Sequence, residues 1–230
     1  MGNCRDKSTV KEDIILLSPT KSVPQASSIS PSFLQTPVAT FLNEPNIPKE
    51  INYTSGANYI GEVFEQKPNG SGILEFQNHR FQGSFVNGMP NGTSTIAIDG
   101  NKFYEGPLVN GIPHGIGNYH LGDMVYNGDI ANGVCHGMGY CRWADGTEYE
   151  GKFEDGLPNG NGLMRYTDGI VYIGRFLNGK KHGPGNFMGP NSMSLDVNFN
   201  EGELVTDEVA VNVKGRKFLA SVVNGQIVVK

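Results

Sequence analysis

One short pattern recurs along most of this 230-residue chain: an aromatic residue, glycine two positions later, and an apolar residue two positions after that. Its copies begin at intervals of 22 or 23 residues, at Tyr59, Phe81, Tyr104, Tyr126, Tyr149 and Tyr172. Self-similarity at a fixed short period is typical of repeat proteins, in which each unit buries its apolar side against its neighbours. The chain is therefore expected to fold as a stacked array.

Weaker copies extend the array in both directions. Leu195-x-Val197-x-Phe199 and Phe218-x-Ala220-x-Val222 continue the spacing without the glycine, and Ile51 and Tyr53 precede the first regular copy. Terminal units must close the stack against water, so degenerate end copies are expected. We predict a repeat domain over residues 49–230, with regular copies at 59–188 and degenerate capping copies at 189–230.

Apolar residues alternate within each copy, which predicts β-strands with one apolar face. In the best-preserved copy the alternating positions are Tyr149, Gly151 and Phe153, followed on a second strand by Gly162 and Met164. Asp-Gly and Asn-Gly pairs separate the strands and supply the positive φ of tight hairpins. The predicted fold is an all-β, elongated, single-layer antiparallel meander. Its regular copies should extend roughly 55–60 Å at about 4.8 Å per strand.

Glycine is in excess within the array, where 26 of the chain's 32 glycines lie between residues 59 and 185. Each glycine inside a strand costs about 0.5–1 kcal/mol relative to alanine, so these positions need a structural reason. Bare backbone leaves room for an aromatic ring from a neighbouring strand. We predict a ladder of Tyr59, Phe81, Tyr104, Tyr126, Tyr149 and Tyr172, stacked with Phe85, Leu108, Ile130, Phe153 and Phe176.

The opposite face of the second strands also carries apolar side chains, among them Ile116, Met138, Tyr140 and Leu163. Two interpretations remain open. These side chains either pack locally against their hairpin partners or form a stripe that binds a partner protein.

With Tyr-x-Gly, a central Asn-Gly or Asp-Gly and a following His/Asn-Gly-x-Gly, the units resemble MORN repeats. The resemblance is close over about residues 59–188. It implies an elongated, twisted antiparallel sheet, a fold that occurs in ciliary radial-spoke proteins, membrane-junction proteins, plant lipid kinases and a histone methyltransferase. In most of these the repeat resembles a docking platform near membranes or the cytoskeleton, although fold alone does not determine function.

No catalytic residues are predicted, and the chain is interpreted as a non-enzyme without a cofactor. His114, His136 and His182 each precede a glycine, but other copies have Asn69, Asn91 and Asn159 there. Asparagine cannot act as a general base, whereas both residue types suit turns. In the enzymes that contain such repeats, the resemblance implies that catalysis belongs to a separate domain. Here degenerate strands occupy residues 189–230.

Cysteine use predicts no metal site and no disulfide framework. Cys135, His136 and Cys141 lie in one hairpin, yet a fourth ligand and zinc-type spacing are lacking. Cys141 is interpreted as a small buried apolar residue.

The net charge of −5 argues against a nucleic-acid partner, because such proteins carry a basic surface. Residues 49–193 contain ten Lys and Arg against fourteen Asp and Glu. This charge balance should repel anionic headgroups rather than attract them.

The first 48 residues lack the repeat and are rich in Ser, Thr and Pro, which predicts a disordered arm. The chain begins Met1-Gly2-Asn3-Cys4, so Gly2 is a candidate for myristoylation and Cys4 for palmitoylation. Two acyl chains give stable membrane attachment, where one gives only reversible binding. Ile14-Ile15-Leu16-Leu17, behind Glu12 and Asp13, is interpreted either as a short partner motif or as a segment that docks on the protein's own sheet.

The leading functional hypothesis is a scaffold on the cytoplasmic face of a membrane, anchored by acyl chains, whose sheet docks cytoskeletal or signalling proteins. One alternative is a structural component of a cilium or of the cell cortex, held by protein contacts alone. Another is a module that recognises phospholipid headgroups directly. A homodimer is a further expectation, because an open sheet leaves two unpaired edges.

Overall fold

The computed structural model describes residues 48–205, 208–223 and 226–229, and nearly all of its secondary structure is β-strand. The first strands are β1 (Lys49–Asn52), β2 (Asn58–Phe64), β3 (Lys67–Phe76), β4 (His79–Val86), β5 (Met89–Ile98), β6 (Asn101–Val109), β7 (Ile112–Pro113), β8 (Gly115–Leu121) and β9 (Met124–Ala131). There follow β10 (Val134–Arg142), β11 (Glu148–Glu154), β12 (Leu157–Arg165), β13 (Val171–Leu177), β14 (Lys180–Gly189), a 3₁₀-helix at Pro190–Ser192, β15 (Met193–Asn200), β16 (Glu203–Leu204), β17 (Glu208–Val213), β18 (Arg216–Val223) and β19 (Gln226–Val229).

These strands form one antiparallel sheet in which neighbours in sequence are neighbours in space. Strands β2 to β6 pair successively, β7 and β8 both pair with β6, and pairing continues from β8 through β15. Strand β15 pairs with both β16 and β17, and β18 and β19 complete the sheet. The predicted all-β antiparallel meander is confirmed.

The sheet is open, since β1 pairs with β2 and β19 with β18, and no pairing joins these two ends in the described part of the chain. Each end strand has four residues. Short edge strands are one way in which proteins limit edge-to-edge association. The homodimer therefore stays a prediction.

Hairpin geometry follows from the dipeptides noted in the sequence. At the turns that follow the first strand in five of the six regular units, Asn87, Asn110, Asn132, Asp155 and Asn178 have φ of 49–51° and are each followed by a positive-φ glycine. Two successive positive φ values are what a tight hairpin turn requires. A register shift follows the strand glycine in most first strands, for example between Gly151 and Phe153. Between these two pairs, the second strand has three residues (159–161) opposite the single residue Lys152 of the first strand.

The weaker copies also form strands of the same sheet. Leu195, Val197 and Phe199 lie on β15 and are buried, and Leu195 pairs with Val211 of β17. At the other end, Ile51 on β1 is buried and pairs with Tyr59. Apolar residues thus continue the buried face beyond the regular copies.

Candidate functional site

One face of the sheet carries a continuous row of buried apolar side chains that runs across the strands. All six residues of the predicted ladder lie in it. Between them, on the second strands, lie residues that the sequence prediction did not include in the ladder: Leu74, Ile96, Tyr119, Cys141, Met164 and Phe187. Each of these residues lies two positions after the glycine or serine of its second strand, and this spacing is the sequence signal that locates them.

Beside this apolar row runs a glycine row. Eleven glycines and one serine face one another on successive strands, at positions 61, 72, 83, 94, 106, 117, 128, 139, 151, 162, 174 and 185. The ring of each ladder tyrosine lies over two of these glycines, one on its own strand and one on the next. A Cβ built on Gly151 would lie 2.6 Å from Tyr149 Oη and 2.7 Å from the carbonyl oxygen of Asn161. The glycines therefore provide the space that the rings occupy.

The hydroxyl groups of the ladder tyrosines donate hydrogen bonds to the backbone carbonyl oxygen three residues further along the chain. Tyr59 Oη donates to the carbonyl oxygen of Glu62 at 2.8 Å, and Tyr149 Oη to that of Lys152 at 3.0 Å. The same bond recurs from Tyr104, Tyr126 and Tyr172 at 2.8, 2.7 and 3.5 Å. Burial raises the pKa of each of these phenols, that of Tyr172 to about 12.

The second regular copy departs from this arrangement at two positions at once. Phe81 lacks the hydroxyl, and the residue on the next strand is Ser94 in place of glycine. Ser94 is buried, and its Oγ adjoins Gly83 in the manner of the tyrosine hydroxyl next to Gly151. The serine hydroxyl thus fills the space that the missing phenol oxygen leaves.

The rings of adjacent units meet edge to face. Tyr59 and Phe85 are 4.9 Å apart at 73°, and Tyr149 and Phe176 are 5.0 Å apart at 82°. The sequence prediction described these contacts as stacked, but aromatic quadrupoles favour the perpendicular arrangement seen here. Leu108 and Ile130, which replace the phenylalanine in two units, are buried at the same position.

Lys181 occupies a position on the apolar face that other units fill with proline or cysteine. Pro68, Pro90, Pro113, Cys135 and Pro158 are its equivalents by strand pairing. Its exposed fraction is 5%, and burial lowers its pKa to about 8. Nζ lies 5.4–5.5 Å from the ring centroids of Tyr166, Tyr172, Phe187 and Phe199.

On the opposite face, the residues of the predicted partner stripe differ in exposure. Ile116 is 71% exposed and Met138 61% exposed, whereas Tyr140 and Leu163 are half-buried. The four share one face but do not form a continuous patch. Asp129 pairs with Ile116, and Glu150 lies between Tyr140 and Leu163.

The three histidines that precede a glycine lie near the starts of second strands, His136 on β10 and His182 on β14, with His114 just before β8. His114 Nδ1 accepts a hydrogen bond from the backbone N–H of Asn132 at 3.5 Å, and His182 Nδ1 accepts one from Glu201 at 3.3 Å. In the first unit Asn69 Oδ1 accepts the equivalent bond from Asn87 at 3.3 Å. Histidine and asparagine are therefore interchangeable acceptors at this position, and His136 is an exposed residue at the same place.

The cysteines of β10, Cys135 and Cys141, are buried thiols, and burial raises the pKa of the Cys135 thiol. In the described ranges there is no group of three or more His, Cys, Asp or Glu that could hold a metal ion. Gly2, Cys4 and the Ile14–Leu17 segment lie outside the described residues. Within the described part, no helix has the length and apolar character needed to span a bilayer.

The repeat also matches a known protein family. A family model of the MORN repeat matches residues 59–79, 81–93, 104–123, 126–148, 149–171 and 172–194. No curated protein matches the chain. Among solved structures, one similar chain is the TCP domain of SAS-4 (dCPAP) from Drosophila melanogaster, solved with a proline-rich motif of Ana2 (dSTIL). It shares 10% identity, with a TM-score of 0.43, over 79% of this chain and 97% of that one. On the strength of its six matched repeats, the chain belongs to the MORN repeat family.

Proposed function

We propose that the protein is a non-catalytic scaffold, held on the cytoplasmic face of a membrane by acyl chains on Gly2 and Cys4. In this proposal its sheet docks a cytoskeletal or signalling protein. The observation that carries the docking role is the exposure of Ile116 and Met138 on a sheet whose opposite face is packed along its length. Packing of the opposite face holds the sheet in one conformation. Exposed apolar side chains on it are therefore preorganised for binding, because little conformational freedom is lost on association.

The family supports the general class of this function. MORN repeats suggest a repeat-based binding module and are generally non-enzymatic. The histidines fit the same interpretation, since the two with described contacts accept hydrogen bonds from hairpin backbones.

The acyl anchor is supported by the start of the sequence and by the charge of the repeats. Residues 49–193 have a net negative charge, so the sheet itself should be repelled by an anionic leaflet. Attachment then needs another source of free energy. A myristoyl chain gives reversible binding, and a second acyl chain makes it stable.

The anchor is tested by fractionating cells that express Gly2→Ala or Cys4→Ser, with Ser8→Ala as the control. We expect Gly2→Ala to move to the soluble fraction and Cys4→Ser to bind membranes only partly. Membrane association of Gly2→Ala equal to that of the wild type would refute the anchor. A detergent-resistant pool of that variant would instead favour a structural component of a cilium or of the cell cortex.

The docking role is tested by replacing both exposed residues, as Ile116→Ser with Met138→Ser. Surface substitutions of this kind usually change stability by less than about 0.5 kcal/mol, so the fold should persist. We expect co-purified partner proteins to fall at least about tenfold by quantitative mass spectrometry, since a tenfold loss needs only about 1.4 kcal/mol. The matched control is Val86→Ser with Val109→Ser, which are also exposed. Equal loss in both pairs, or no loss in either, would refute this surface.

A further inference from the structure

The first hairpin, formed by β2 and β3, differs from the later hairpins in the contacts of its turn. In the later units, the N–H of the second turn residue donates to a carbonyl of the preceding unit, as Gly88 does to Pro68 at 2.8 Å. In some of these units the N–H of the first turn residue also donates to a side chain of the preceding unit, as Asn87 does to Asn69 at 3.3 Å. A later turn is thus held by the unit before it.

In the first hairpin the two turn residues are Glu65 and Gln66, with φ of 48° and 64°. Within the described ranges, no carbonyl or side chain accepts a hydrogen bond from either backbone N–H. Residues other than glycine persist at positive φ only where surrounding contacts hold them. This turn therefore points to a contact with a segment outside those ranges.

The sequence before β1 contains acceptors at the matching positions. In four of the six regular units, a proline lies six residues before the buried apolar residue of the second strand, as Pro158 does before Met164. An asparagine or histidine follows that proline. The same count back from Ile51, the buried residue of β1, gives Pro45 followed by Asn46.

The register of β1 supports this alignment. Lys49 pairs with Gly61, as Gly72 pairs with Gly83 in the next unit. Continued in the same register, the residues before β1 run alongside the end of β2 and reach the turn that follows it. The two acceptor residues are then placed beside that turn.

Lys49 stands where the regular units have a glycine or serine, and the structure gives the reason. A Cβ on Gly72 would overlap the ring of Tyr59, which lies on the first strand of the same unit. In the described part of the chain β1 pairs only with β2, so no ladder tyrosine restricts position 49. A lysine here is therefore compatible with a second strand that has no first strand before it.

Pro48 has a counterpart in Pro184, since each lies three residues before the buried residue of its strand. The N–H at this position faces the first strand of its own unit, as that of Met138 donates to Asp129 at 2.8 Å. Proline at this position therefore preserves pairing with β2 and leaves no donor on the open side of β1. Proline in this orientation limits further pairing at an edge strand.

We propose that residues 44–47 of this chain continue β1 and dock on the turn of the first hairpin, as the second strand of an additional unit. The carbonyl oxygen of Pro45 accepts from Gln66 N–H, and Asn46 Oδ1 accepts from Glu65 N–H. The repeat domain then begins near residue 44, and the N-terminal edge of the sheet beside β2 is covered.

Coverage of this edge restricts how partners bind. A peptide that adds a strand beside the end of β2 has to displace residues 44–47. A homodimer formed through sheet edges has to use the opposite end of the sheet, at β19. The arm with Gly2 and Cys4 is then a tether that starts at the edge where the hairpin turns lie.

The first test is amide hydrogen exchange of the full chain, followed by NMR. We expect Gln66 N–H to exchange within about tenfold of the rate of Gly88 N–H, whose acceptor is the equivalent carbonyl. The rates should not change with protein concentration, because the acceptor belongs to the same chain. Exchange of Gln66 more than about tenfold faster than that of Gly88, or protection that grows with protein concentration, would overturn the proposal.

The second test changes the side-chain acceptor in the full chain. Asn46→Leu should raise the exchange rate of Glu65 N–H about fivefold, as expected for the loss of one hydrogen bond. Asn46→His should leave the rate unchanged, because His114 and His182 accept the equivalent bond. The matched control is Asn43→Leu, three residues earlier in the arm. An unchanged rate in Asn46→Leu, or an equal rise in the control, would overturn the proposal.

Discussion

Each of the five ladder tyrosines depends on two glycines, because its ring occupies the volume that two Cβ atoms would fill. One glycine lies two residues further on the same strand and the other faces it on the next strand, as Gly151 and Gly162 do for Tyr149. The unfavourable strand propensity of glycine is thereby offset by ring burial and by the hydrogen bond of the hydroxyl.

Replacing Gly151 by alanine should destabilise the protein by about 3 kcal/mol, because the added methyl group overlaps Tyr149 Oη and the Asn161 carbonyl. Gly169→Ala is the control, since that glycine has φ +86° in a turn with nothing within 4 Å. It should cost only about 1–2 kcal/mol of conformational strain. Urea unfolding measures both. Equal losses would contradict a steric role for the glycine row.

The paired departures Phe81 and Ser94 give a prediction that a double-mutant cycle can test. Phe81→Tyr should cost about 1–3 kcal/mol because its hydroxyl meets Ser94, and Ser94→Gly should cost about 0.5–1 kcal/mol. Together they recreate the regular unit, so we expect the double variant to be close to the wild type, with a coupling energy of at least about 1 kcal/mol. Additive losses in urea unfolding would show that the two departures are unrelated.

At the residue scale, positions that recur in every copy can be predicted from the sequence, whereas residues that depart from the pattern in a single copy cannot. The ladder positions are predictable from six copies of one pattern. Ser94 and Lys181 are not, because each is a single departure whose effect depends on which residues face it across neighbouring strands. The edge-to-face ring geometry is likewise set by packing of the sheet and not by spacing along the chain.

Successive hairpins are joined by a second set of hydrogen bonds at their tips. The tip glycine of each unit donates to a carbonyl of the preceding unit, as Gly133 does to Pro113 at 2.8 Å and Gly156 does to Cys135 at 3.0 Å. Gly88, Gly111, Gly179 and Gly202 make the same bond. Because each hairpin tip is hydrogen-bonded to the preceding unit, local opening of one hairpin breaks a bond to its neighbour. The stabilities of adjacent units are therefore coupled.

The residue at the histidine position adds a further hydrogen bond between successive hairpins, and substitutions of His182 test its contribution to stability. His182→Asn should preserve an acceptor for the Glu201 N–H and change stability by less than about 0.5 kcal/mol. His182→Leu should cost about 1 kcal/mol because the bond is lost. Thermal unfolding of both variants checks this. A large loss in the asparagine variant would indicate a role that only imidazole performs.

Turns and strand order could be predicted from the sequence because Asn-Gly and Asp-Gly pairs fix short antiparallel connections. The interruption between β7 and β8 could not, since His114 there bonds through its backbone N–H to Pro107, a contact set by register. The irregular pairing of β15 with both β16 and β17 also has no repeated signal.

The burial of many phenols in one sheet makes the whole molecule sensitive to alkali. Tyr59, Tyr104, Tyr119, Tyr126, Tyr149 and Tyr172 are fully buried, and burial raises the pKa of each above its usual value of 10.0. Between pH 10 and 12 the unfolded chain therefore binds fewer protons than the folded one, so stability falls as pH rises.

Each such phenol removes about 1.4 kcal/mol of stability per pH unit in that window, and the six together about 8 kcal/mol. We expect cooperative unfolding near pH 11, with phenolate absorbance at 295 nm appearing together with loss of β-sheet circular dichroism. Gradual ionisation with the sheet intact would contradict the buried ladder.

The central claim is that the repeats form one extended layer, and the distance between two turns on the same edge tests it most directly. Thr54 lies between β1 and β2, and Asp168 between β12 and β13; both are exposed. Spin labels on cysteines placed there, in a Cys4→Ser background, are separated by ten strand spacings of about 4.8 Å. We predict a distance of about 40–50 Å by double electron–electron resonance. A distribution centred below about 30 Å would contradict the extended layer and require a compact fold, whose radius of gyration for this length is about 17 Å.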